Sequence, residues 1–82
     1  MENQDRLRLL AETLVVAVAS VKDEVRVTTR ERGDELVLHV QVAADDMGRV
    51  IGKKGRVASA LRTVLRAAAG DEGDVNIEID DK

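Results

Sequence analysis

Two glycines bracket two lysines in Gly52-Lys53-Lys54-Gly55. With no side chains at its ends, such a turn lets an extended ligand lie against the main chain, and the two lysines supply mobile cations at its tip. Gly55 stands before a helical pattern, where free N–H groups and the positive end of the helix dipole favour an anion. The chemistry this suits is a grip on a phosphate backbone. Phosphates would be held by the amides around Lys54 to Arg56 and by the side chains of Lys53, Lys54 and Arg56, with a flanking one reached by Arg49 or Arg62. A Gly-flanked turn between helices also arises for structural reasons alone, so its setting decides its meaning.

That setting is basic. From Arg49 to Arg66 the chain carries Arg49, Lys53, Lys54, Arg56, Arg62 and Arg66 with no acid among them, so the stretch holds +6 and, against a total of −3, the remainder holds −9. A net negative chain does not coat nucleic acid indiscriminately, because that mode runs on excess Lys and Arg. A basic pole on an acidic body fits a local contact instead.

Other chemistries find little support. A nucleotide-binding P-loop at Gly48-Arg49-Val50-Ile51-Gly52-Lys53-Lys54 fails because three residues rather than four separate its glycines, and Lys54 stands where magnesium needs Ser or Thr. The chain has no Cys, and its one His, His39, cannot build a zinc site alone. His39 reads as an outward residue of a strand, Asp45 and Asp46 as helix caps, and Asp80-Asp81 as a solvated tail. No enzyme activity, metal or cofactor is expected. No apolar run approaches the ~20 residues of a membrane span, and the start Met1-Glu2-Asn3-Gln4-Asp5 lacks the basic-then-apolar order of a leader. A soluble, unsecreted protein is expected.

The elements that must position the loop follow from periodicity. Leu7, Leu10, Ala11, Leu14, Val15 and Val18 share one helical face, which predicts an amphipathic helix over 4–20. Val25, Val27 and Thr29 alternate with polar residues, as do Leu36, Leu38, Val40 and Val42 after Arg32-Gly33-Asp34, which predicts a β-hairpin. Asp45 and Asp46 would start a two-turn helix that ends at Gly52. A longer helix runs from Arg56 to Gly70 with Val57, Leu61, Val64, Leu65 and Ala68 on one face, then a Gly70-Asp71-Glu72-Gly73 turn and a strand at Val75, Ile77 and Ile79. The 82 residues allow one domain, spanning 1–82. The order α-β-β-α-α-β implies an α+β sandwich, a three-stranded mixed sheet covered on one face by three helices. Its core would be aliphatic, since the chain contains no aromatic residue, with the strand residues facing Leu10, Leu14, Val18, Val57, Leu61 and Val64. Bases would lie toward a groove lined by Val50, Ile51, Val57 or Ala58, their edges read by main-chain groups of the second strand.

A helix-GxxG-helix in this element order resembles the type II KH domain, which clamps about four nucleotides of a single strand. The segment from Val42 through Asp45-Asp46-Met47-Gly48-Arg49-Val50-Ile51 and the loop to Arg56-Val57-Ala58, followed by Leu61-Arg62-Thr63, is more specifically similar to the bacterial KhpA family of small KH proteins. That resemblance implies a cytoplasmic protein binding single-stranded RNA, an RNA chaperone that forms homodimers or pairs with a Jag-like (KhpB-type) KH protein, with a link to cell shape and cell-wall homeostasis. The choice of RNA over single-stranded DNA comes from the resemblance. The chain departs from the broader KH pattern in placing Ala58, rather than a larger apolar residue, three positions after the second glycine, with Val57 before it.

On this reading of the loop and groove, Gly52, Lys53, Lys54, Gly55, Arg56, Arg49, Ile51, Val57 and Arg62 form the expected RNA-binding set. On the first helix Leu9 and Val16 project nearly opposite the core stripe and are candidates for a dimer contact. The rival reading is a protein-protein adaptor that keeps the fold and binds little RNA.

Overall fold

In the computed structural model, which describes residues 2–70 and 74–81, the order is α1 (Glu2–Val18), β1 (Arg26–Arg32), β2 (Glu35–Val42), α2 (Met47–Ile51), α3 (Arg56–Ala69) and β3 (Asp74–Asp81). β1 and β2 form the expected antiparallel hairpin, turning at Gly33 with φ +62°. β3 pairs with β2 in parallel, from Glu35 opposite Asp74 to Val42 opposite Asp81. The sheet is therefore mixed, with β2 at its centre. The expected α+β arrangement is the observed one. Gly70, at φ +64°, ends α3 as expected, while the rest of the turn through Gly73 lies outside the described residues.

The helices cover one face of the sheet, and the stripe each presents differs from expectation by a fraction of a turn. On α1 the buried side chains are Leu7, Ala11 and Val15, continued by Ala19 just past its end, while Leu10 and Leu14 pack half-buried at the flank. A strict four-residue step holds the smaller Ala residues against the sheet and lets α1 approach closely. On α3 the same step buries Leu61, Leu65 and Ala69 and leaves Val64, expected in the core, 44% exposed. One residue is about 100° of helix rotation, enough to turn Val64 away.

The opposite face of the sheet is polar but not uniformly open. Val37 alternates with Leu36 and Leu38, yet it is fully buried. Arg30 on β1 pairs with Glu78 on β3 at 2.8 Å, and Arg32 reaches the same carboxylate at 3.4 Å. Both pairs span β2, and Arg30 lies in register beside the buried Val37. His39 sits on this outer face, 3.8 Å from Asp80, as its alternation predicts.

Candidate nucleic-acid interface

α2 is barely longer than one turn, and it ends where the Gly52 N–H donates to Gly48 O at 2.8 Å. Gly52 then takes φ 81°, ψ 167°, a conformation open essentially only to glycine. A β-carbon there would also lie 2.5 to 2.8 Å from the side chain and backbone nitrogen of Val57. Gly52 is thus the close-packed hinge of α2 against α3. Gly55 is left-handed at φ 74°, but a β-carbon on it would meet nothing within 4 Å. Between them Lys54 is itself left-handed (φ 59°, ψ 24°), a conformation uncommon for a lysine. The turn closes through Gly55 N–H donating to Gly52 O at 3.0 Å and Arg56 N–H donating to Lys53 O.

That closure bears on one expectation: the amides of Gly55 and Arg56 are committed within the turn, which leaves the side-chain cations as the charged groups that face outward. Lys53, Lys54 and Arg56 are all exposed. Arg49, one turn before the loop, is exposed too and lies with its Nε 3.5 Å from Asp46 Oδ1. Arg62 is about 9 Å along α3 from Arg56 and is tied to β3, its Nε–H donating to Asn76 Oδ1 at 3.2 Å. The loop cations and Arg49 therefore form one group, with Arg62 set apart toward the sheet edge.

The expected groove is corrected in two respects. Val50 is fully buried in the core and lines no groove, while Ile51, Val57 and Ala58 remain half-buried beside the loop. Reading of base edges by β2 is excluded because β2 pairs on both sides, which consumes its main-chain groups. Of the sheet's two edges, it is β3 along which α3 and α2 pack, while α1 packs on β1. For the dimer contact, Leu9 is 52% exposed as expected, but Val16 packs half-buried against the core.

Asp46 departs furthest from expectation. Neither it nor Asp45 caps α2 through its side chain. Asp46 is instead 1% exposed, with Oδ1 accepting the Ser20 N–H at 3.0 Å and Oδ2 the Val21 N–H at 2.8 Å. These two backbone donors, Val21 first, hold its carboxyl below the usual carboxylate range against the opposing effect of burial, helped by the charges of Arg49 and Lys22. The carboxylate ties the end of α1 to the start of α2 and so steadies the base from which the loop springs. Sequence reading missed it because its partners lie 25 and 26 positions away; the available signal was an Asp in a segment where its neighbour Asp45 already serves solvent.

Against known proteins, the family model described as "KhpA/KhpB, KH domain" matches residues 8–80. The RNA-binding protein KhpA of Clostridium acetobutylicum is 42% identical over 66 residues, covering 80% of this chain and 88% of that protein. The protein of the same name from Halalkalibacterium halodurans is 44% identical over 77% of this chain and 83% of its own length. That of Streptomyces coelicolor is 46% identical over 72% and 75%. No solved structure gives a significant match.

Proposed function

The chain belongs to the KhpA/KhpB family of KH domains, RNA-binding proteins rather than enzymes, and we propose that it grips a short single strand of RNA at Gly52-Lys53-Lys54-Gly55. In this reading Lys53, Lys54, Arg56 and Arg49 hold successive phosphates. Bases turn toward Ile51, Val57 and Ala58, and Arg62 meets the strand where it nears the edge of β3. The observation that carries it is the loop itself: two exposed lysines at the tip of a glycine-hinged turn, inside a stretch with no carboxylate from Met47 to Gly70. Without aromatic side chains the domain lacks the stacking worth ~1 to 3 kcal/mol per base in other single-strand binders, so affinity for one site is modest.

Modest affinity gives a second protomer a use, since linked sites raise avidity without new contacts. A homodimer or a pairing with a Jag-like KH protein is the form we propose, with exposed Leu9 as one contact. Membership of the family supports the finer reading of one domain acting as an RNA chaperone in the cytoplasm, with a bearing on cell shape and wall. The test is a Lys53→Asp, Lys54→Asp variant titrated with labelled single-stranded RNA and DNA octamers. Binding to RNA should disappear with the melting temperature unchanged, since both side chains are exposed and Asp tolerates the left-handed backbone at position 54. Undiminished binding would remove the loop from the interface.

A further inference from the structure

The outer edge of β3 carries an amide whose orientation is fixed from two sides. Among the described residues β3 pairs only with β2, so the main-chain groups of its alternate residues face outward. Three of them are met by side chains: Val75 O accepts the Arg66 Nε–H at 3.0 Å, while the N–H groups of Ile77 and Asp81 donate to Asn76 Oδ1 and Asp80 Oδ1, each at 2.9 Å. Asn76 Oδ1 also accepts the Arg62 Nε–H at 3.2 Å. Because both of its partners are donors, the atom that meets them must be the amide oxygen, which assigns Nδ2 to the other position. Nδ2 makes no hydrogen bond to any described residue. No side-chain nitrogen or oxygen lacking a partner is buried among the described residues, so its two N–H groups are open to solvent.

We infer that Asn76 is a specificity-determining residue: with Arg62 it forms a donor-only reader at the edge of β3 that selects a base presenting two adjacent acceptors. The inference rests on the RNA grip proposed above and adds a base preference to it. Asn76 spends its one side-chain acceptor on Ile77 and Arg62, and a guanidinium has no acceptor at all, so the side chains at this corner offer only N–H groups. The edges that satisfy two such donors side by side are O6 and N7 of guanine and N3 and O2 of cytosine. Adenine places an amino group beside each of its ring acceptors on those edges, and uracil sets an N–H between its two carbonyls. Either would leave donor facing donor. Arg62 stands about 9 Å along α3 from Arg56, inside the reach of the roughly four nucleotides that such a loop holds.

Asn76→Asp provides the test, because a carboxylate keeps an acceptor for both Ile77 N–H and Arg62 Nε–H while replacing the open donors with a second acceptor. Fluorescence anisotropy of the full chain with labelled rC8, r(GU)4, rA8 and rU8 should give the first two an advantage of about five- to tenfold. In Asn76→Asp all four should weaken from the added charge, the advantage should shrink to about twofold or less, and the melting temperature should hold. An advantage kept in Asn76→Asp overturns the assignment. So does a wild-type protein that binds all four alike while Lys53→Asp, Lys54→Asp still abolishes binding; the grip then stands and the reader falls. Binding unaffected by that loop variant, or no binding to any octamer, overturns the grip and the reader with it.

Discussion

Asp46 Oδ2 accepts the backbone N–H of Val21 at 2.8 Å, across 25 residues of chain, and so fixes where α2 begins relative to the end of α1. The bond is made by the charged form, which gives it a pH signature. The unfolded carboxyl titrates near ~3.9 and the folded one lower. Its stabilisation is therefore complete above the unfolded value and drains away as pH falls through the folded one. Urea denaturation between pH 7 and pH 2.5 should show stability falling on the acid side of about pH 4. Asn at position 46 keeps one acceptor but turns an amino group toward the second N–H, so Asp46→Asn should unfold several degrees earlier at pH 7 and lose part of that acid limb. An unchanged acid limb would mean that other carboxylates dominate it.

The two loop glycines should respond differently to alanine. At Gly52 the new β-carbon meets Val57 in a glycine-only conformation, and Gly52→Ala should cost more than about 3 kcal/mol. At Gly55 only the left-handed backbone opposes the change, and about 1 to 2 kcal/mol is expected. Chemical denaturation of both variants measures the difference; equal costs would contradict the hinge role of Gly52. Gly55→Ala should stay folded and, on the proposed grip, bind RNA more weakly, because its added methyl would stand in the path proposed for the strand.

Salt dependence counts the phosphates. If two to four are neutralised by Lys53, Lys54, Arg56 and Arg49, log K should fall against log salt with a slope of roughly −1.4 to −2.8, at about −0.7 per contact on a single strand. Arg56→Gln should lower that slope by about one contact's worth. A flat response would remove electrostatics as the source of binding.

The proposed self-association can be tested at Leu9 alone, since Val16 takes part in packing and a charge there would act on the fold. A chain of 8.9 kDa is small enough for light scattering to separate monomer from dimer cleanly. Leu9→Glu should shift a dimer toward monomer at equal concentration. A mass unaffected by the change would take this face of α1 out of the interface.

Much of this protein lay open in the order of its residues. Alternation along 25–30, 36–42 and 75–79, helical stripes before and after, and glycines at Gly52 and Gly70 specify every element, because backbone geometry maps directly onto local spacing. The loop and its charge were equally legible, since Lys53 and Lys54 are adjacent to their glycines and the acid-free stretch is contiguous. What local spacing could not rank was the choice between neighbouring stripes on one helix. Leu65 and Val64 are both apolar, and only the seat of α3 on the sheet decided that Leu65 is buried and Val64 exposed. The same holds for Val50, which sits beside loop residues in sequence and inside the core in space.

The remaining decisions came from contacts between distant residues. That β2 is central and β3 an edge follows from pairings separated by tens of positions, and it moves any reading of bases from one strand to the other. Asp46 found its donors at the end of α1, and Asn76 acquired a fixed orientation only when α3 brought Arg62 beside it. A side chain's hydrogen-bonding role depends on which donors the fold delivers to it. The sequence by itself located the glycine-lysine loop and its charge; tertiary structure decided what steadies it and which edge lies beside it.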